Sequence, residues 1–207
     1  MAYSDFTLAQ VKTQFGLQTQ EKSGLFARAT ALEPSPLLQE ILAYQVPLAL
    51  AMNTEKSRSE LVIAPILVEI KRCFESQSSL FSGVDFTVDP SQGLVGICDF
   101  VLSASGEQLT LTAPVVTIVE AKRENLNGGL GQCIAEMVAA QIFNQTNLSS
   151  DARSISTIYG AVTTGNLWKF LALQDQVVQI DLAEYSIPQL DRILGILALG
   201  FTEETYR

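Results

Sequence analysis

The chain contains no histidine. That absence removes zinc sites with imidazole ligands, Ser-His-Asp triads and Cys-His pairs together, so any catalysis must run on carboxylates, lysine and bound metal. Cysteine is scarce. Cys73, Cys98 and Cys133 are odd in number and widely spaced, form no CxxC pair and no disulfide framework, and read as reduced, mostly buried thiols. No apolar run reaches bilayer length and no basic-then-apolar leader opens the chain, so the expectation is a cytoplasmic protein with no membrane partner. Positive charge is also short, with 13 Lys and Arg against 22 Asp and Glu and a net charge of −9. Such a balance argues against a protein that coats nucleic acid non-specifically, because that binding depends on Lys and Arg displacing counterions. It leaves room for a local site, where a metal ion inverts the sign.

What is present is an ordinary apolar content over 207 residues, with no repeat and no linker. That length suffices for one domain with a real core, preceded here by an N-terminal helical extension over 1–56 packed on a core over 57–207. The extension opens on a short amphipathic helix within 1–16, capped by Thr7 or Asp5 and stopped by Gly16. Residues 17–33 show no period. Ser35-Pro36 starts a second helix to about Tyr44, and 46–51 reads as extended. Ser57 and Glu60 have capping-box spacing, and a helix follows to about Phe74, with Pro65 expected to kink it or loosen a turn.

Strands are expected at 81–88, 94–103 and 115–121, with a short extension of the hairpin at 108–112. A helix follows over 130–145, then strands at 154–163, 167–173 and 177–182 and a last helix at 187–199. The order predicts an α/β fold in which helices flank one mixed sheet. The β-branched run from Val115 to Ala121 reads as a strand covered on both faces.

One constellation stands out against this background. Asp99 lies inside an apolar strand, between Ile97 and Val101 on its own face. Glu120 and Lys122 end the next strand and, two residues apart, face the same way. An unpaired charge is costly to bury, so a purpose or a partner is expected for each.

Asp99 followed by Glu120-Ala121-Lys122, with a helix bearing Glu60 before and a helix bearing Gln132 after, resembles the PD-(D/E)XK nuclease superfamily. The resemblance covers about residues 57–173, including the hairpin from Tyr159 to Phe170, and Cys98 stands where the family's motif has proline. It implies a restriction-endonuclease-like mixed central sheet with an αβββαβ core. It also implies Mg²⁺-dependent (or Mn²⁺-dependent) hydrolysis of phosphodiester bonds in nucleic acid, DNA first.

Asp99 and Glu120 would hold the ion, with the Ala121 backbone carbonyl as a third ligand, since Mg²⁺ takes hard oxygen donors and keeps several waters. Lys122 would orient the attacking water or stabilise the transition state. Glu60 is either the extra acid of the first helix or only a capping residue, with Glu69 its rival on a solvated flank. Gln132 either supports the site or is a surface amide, with Gln141 the alternative glutamine. Gly128, Gly129 and Gly131 read as a flexible connector. The acidic balance leaves a second reading open, a catalytically silent or partner-dependent module. It also points to a homodimer or a partner subunit as the source of DNA affinity.

Overall fold

The β-branched run at 115–121 is buried at every position, and the structure builds outward from it on both faces. This computed structural model describes residues 1–147 and 155–202. In chain order the elements are α1 (Leu8–Phe15), β1 (Gln18–Lys22), α2 (Pro36–Met52), α3 (Glu55–Arg58), a π-helical turn (Ser59–Ile63) and α4 (Ala64–Cys73). Then come β2 (Ser79–Asp85), β3 (Ile97–Ser103), β4 (Val115–Ala121), α5 (Leu130–Asn147), β5 (Thr157–Thr163), β6 (Leu167–Gln174), β7 (Val177–Asp181) and β8 (Tyr185–Ser186). α6 (Leu190–Leu197) and α7 (Leu199–Thr202) close the described chain. Among the described residues no helix is long and apolar enough to cross a membrane.

The fold is α/β, with a mixed sheet of strand order β1-β7-β6-β5-β4-β3-β2 and β8 paired to β6. β4 and β5 run parallel, as do β1 and β7, while the other pairs are antiparallel. A parallel pair needs a crossover, and α5 supplies it between β4 and β5. One face of the sheet packs Val101, Ile118 and Val162 with Cys133, Ile134 and Met137 of α5. The opposite face packs Phe100, Val119 and Trp168 with Ile66 and Ile70 of α4 and Ile193 and Leu194 of α6.

Local chemistry explains most boundaries. Thr7 accepts the Gln10 N–H, and Gly16 takes the left-handed conformation that stops α1. Pro65 has no N–H for the Leu61 carbonyl, and the helix widens just before it, with the Ala64 N–H reaching back to the Ser59 carbonyl. The capping box lies three residues earlier than the sequence suggested, since Thr54 and Ser57 cap each other at 3.0 and 3.3 Å and start the helix at Glu55.

Other expectations are corrected. α2 does not end near Tyr44; it runs through Pro47 to Met52, with Leu38, Leu42 and Ala49 buried. β1 was unpredicted, because an exposed polar edge strand shows no alternation. The N-terminal 56 residues therefore also supply a strand of the sheet. Residues 108–112 form no strand. There the Gln108 amide takes the place of one, donating to the Leu80 carbonyl and accepting its N–H. Cys73 is exposed, while Cys98 and Cys133 are buried, and all three are free thiols. Ser154, the expected start of β5, lies outside the described residues.

Asp181 ties the unpatterned loop after β1 to the sheet. Fully buried, it accepts the N–H groups of Gly24, Phe26 and Ala183 and the Tyr185 hydroxyl, at 2.9 to 3.4 Å. Removing it leaves several buried donors unpaired. Asp181→Ala is expected to cost about 3 kcal/mol in urea-denaturation stability, a loss that Asp181→Asn should partly recover.

Candidate functional site

β3 and β4 pair antiparallel, with Phe100 opposite Val119. Continuing that register sets Asp99 opposite Glu120 at the end of both strands. Asp99 turns one oxygen into the ladder, where Oδ2 accepts the Ala121 N–H at 2.8 Å. Ile97, expected to line the apolar face beside it, is 63% exposed. The end of β3 therefore opens to solvent, and Asp99 is half-buried. Ala121, whose carbonyl is the candidate third ligand, is buried as the last residue of β4.

Glu120 is 1% exposed. Its Oε1 meets the Lys122 Nζ at 2.5 Å, and its Oε2 is buried without a partner. Lys122 also donates to Gln132 Oε1 at 3.1 Å. Gln132 lies one turn into α5, and its Nε2 donates at 3.1 Å to Oε1 of Glu136, one further turn along. Asp99, Glu120, Lys122 and Gln132 are thus brought together at the end of β4.

Glu60 is not brought there. Its side chain is 59% exposed and pairs with Lys56 at 2.7 Å. The acid nearest the site from this helix is Glu55, which accepts the Arg123 N–H at 3.1 Å. Starting the helix at Ser57 had hidden it. Glu69 is a buried anchor and not a solvated flank, for it accepts the Ser35 N–H at the start of α2 and pairs with Arg72. Gln141 is half-buried at the other end of β4 and β5, where with Asn144 and Ser156 it lines a cavity of about 270 Å³. Trp168, Tyr159 and Phe170 are core residues.

Glu136 is the residue that sequence reasoning missed. A signal was available, since it is the one charge in the whole of α5, set in the apolar run from Cys133 to Val138. It is fully buried, with Oε2 unpartnered. The glycines before it are contact points and not a loose connector. A Cβ on Gly129 would lie 2.6 Å from Val162 and 3.2 Å from the Lys122 stem, and one on Gly131 would lie 2.2 Å from the Phe6 carbonyl oxygen. The start of α5 can press onto Lys122 only because these side chains are missing.

Burial and then the Asp99 charge lift the Glu120 carboxyl, against the pull of Lys122, from 4.5 to about 8. Burial, and then Glu120, push Glu136 well above the carboxylate range. For Lys122 burial alone would lower the ammonium, but Glu120 and the other acids outweigh it and hold it charged. Both buried carboxyls are therefore harder to ionise than a solvated one.

Among the described residues no group of three or more Asp, Glu or Cys side chains could hold a metal ion. The donors present still fit Mg²⁺. Two hard carboxylates lie near enough for the Asp99 charge to act on Glu120, and one buried Glu120 oxygen lacks a partner. Mg²⁺ uses one or two carboxylates and fills its octahedron with water and phosphate oxygens. No protein-family model matches the chain, and no curated protein matches it.

A pH dependence follows from Glu120. Its folded-state value lies above its unfolded one, so the folded state binds the extra proton, and stability falls as pH rises from 4.5 to about 8. Thermal unfolding at a series of pH values should show the melting temperature falling across that window. Glu120→Gln should flatten the curve, and an unchanged curve would mean that Glu120 is ionised throughout.

Proposed function

We propose that the chain has a restriction-endonuclease-like fold and hydrolyses DNA phosphodiester bonds with Mg²⁺ or Mn²⁺. The observation that carries this reading is that Asp99 and Glu120 come together at the end of β4, with Glu120 Oε2 buried and unpartnered and Lys122 on Glu120 Oε1. The succession of one helical stretch, three strands, α5 and β5 supports the fold.

In this reading Asp99, Glu120 and the Ala121 carbonyl hold the divalent ion. When bound, the ion supplies a more acidic water and stabilises charge on the scissile phosphate. Lys122 keeps its charge and turns its ammonium toward the reacting phosphate, stabilising the anionic transition state. Gln132 Oε1 is a second acceptor for the ammonium beside Glu120.

A second reading has one observation in its favour. Among the described residues no three acids are placed to hold a metal together, and Lys122 closes directly on Glu120, an arrangement that also suits a catalytically silent nuclease fold acting as an interaction module.

Affinity for DNA in so acidic a chain needs help, and a homodimer is the assembly we propose. α2 supports it. Leu37, Tyr44, Leu48 and Met52 are 57, 76, 43 and 48% exposed, and Glu40 is the one charge in the helix. A helix apolar on its outer face calls for a partner. The last helix is no rival, because Leu190, Ile193, Leu194 and Leu197 of α6 are buried in the core.

Calorimetry with Mg²⁺ and Mn²⁺ should show binding by the wild type that Asp99→Ala abolishes. A plasmid-nicking assay should show Lys122→Ala slower by about 100-fold or more while metal binding persists. Absence of metal binding by the wild type sinks the enzyme and leaves the module. Light scattering is expected to give a dimer that Tyr44→Glu with Leu48→Glu converts to a monomer; a monomeric wild type excludes the α2 interface.

A further inference from the structure

We infer that Glu136 is a positioning residue, which fixes the orientation of the Gln132 amide and through it holds Lys122 at the end of β4. The amide of Gln132 has an accepting end and a donating end, whereas the Lys122 ammonium can only donate. If the amide were turned over, its NH₂ would meet the ammonium, donor against donor. What its far end meets decides which way it lies. Glu136 stands one turn along the same helix face, and its Oε1 accepts the Gln132 Nε2–H at 3.1 Å. That bond leaves the Gln132 oxygen for Lys122, also at 3.1 Å.

Two of the three ammonium hydrogens are then committed, one to Glu120 and one to Gln132. Among the described residues the third has no acceptor, and it is the one left to face a substrate.

Packing alone does not explain Glu136. Its side chain is fully buried, and one oxygen goes unpartnered. A leucine or methionine would fill the place without leaving a buried polar atom orphaned. The carboxyl therefore serves something that volume does not. Burial raises the Glu136 carboxyl above the ordinary carboxylate value, and its Oε1 accepts from the Gln132 amide.

The proposal rests on the nuclease reading only for its kinetic consequence. The test pairs the nicking assay with side-chain ¹⁵N–¹H NMR of the Lys122 ammonium, assigned by its loss in Lys122→Arg. Glu136→Leu should fold with an equal or higher melting temperature. It should broaden or shift the Lys122 signal and lower kcat by about 10- to 100-fold with KM unchanged. Glu136→Met serves the same arm if leucine does not fold. Glu136→Gln, which still offers a carbonyl to the amide, should restore both the signal and the rate. A native Lys122 signal in Glu136→Leu or Glu136→Met overturns the proposal, as does failure of a folded Glu136→Gln to restore it. If the wild type cuts nothing, the ammonium signal still decides the matter and the nuclease reading alone falls.

Discussion

An acid on a strand that is closed on both faces sets the terms for everything around it. β4 is buried at all seven positions, and its sixth residue is Glu120. Burying such a carboxylate is costly unless it is paired or protonated. The chain does part of each. Lys122, two residues on and on the same face, supplies a counter-charge, while burial and Asp99 push the carboxyl up to about 8. Because the Lys122 side chain is still 26% exposed, the pair sits at the margin of the core, where it can meet something from outside.

The topology puts that margin where the chain changes direction. β4 is antiparallel to β3 and parallel to β5, and α5 makes the crossover. Ends of strands at such crossovers are where open α/β sheets place ligands. The N-terminus of α5 must then come down beside Lys122. Gly129 and Gly131 allow it, one against Lys122 and Val162, the other against the backbone of Phe6 to Leu8. Residues 1–8 thereby become part of the wall of this region, the Tyr3 hydroxyl being tied to the Phe86 carbonyl.

Legibility in the sequence followed how locally each feature is determined. β4 was read to the residue because an unbroken β-branched run has few alternatives. Asp99, Glu120 and Lys122 were legible because charge inside apolar strands is rare enough to notice. Glu136 carried the same signal in a helix, but the apolar stripe of α5 drew attention away from it. Glu60 was misplaced because Ser57 can serve either of two capping boxes, with Thr54 before it or Glu60 after it, and its bonds to the Thr54 and Ala49 carbonyls commit it to the first. β1 and the tie from Asp181 to its following loop depend on partners more than 150 residues away, which no local pattern records.

The net charge and the site belong to one electrostatic argument. A charge of −9 repels a polyanion at long range. Yet the end of the sheet that bears Lys122 also holds a buried cation without a carboxylate. The Lys122 N–H bonds the Thr163 carbonyl, and the next carbonyl, of Thr164, accepts from Arg58. Arg58 is otherwise held by the amide oxygens of Asn166 and Asn53, and no acid among the described residues pairs with it. Neutral acceptors bond its two terminal nitrogens, leaving Nε buried without a partner, and none of them cancels its charge. Within a Debye length, about 8 Å at physiological salt, such uncancelled charge counts for more than the distant total. A net acidic chain can thus still hold individual cations, Lys122 and Arg58, at this end of the sheet. Under the nuclease reading proposed above, a phosphate would be met by these cations only at close approach, and long-range attraction would have to come from the proposed second subunit.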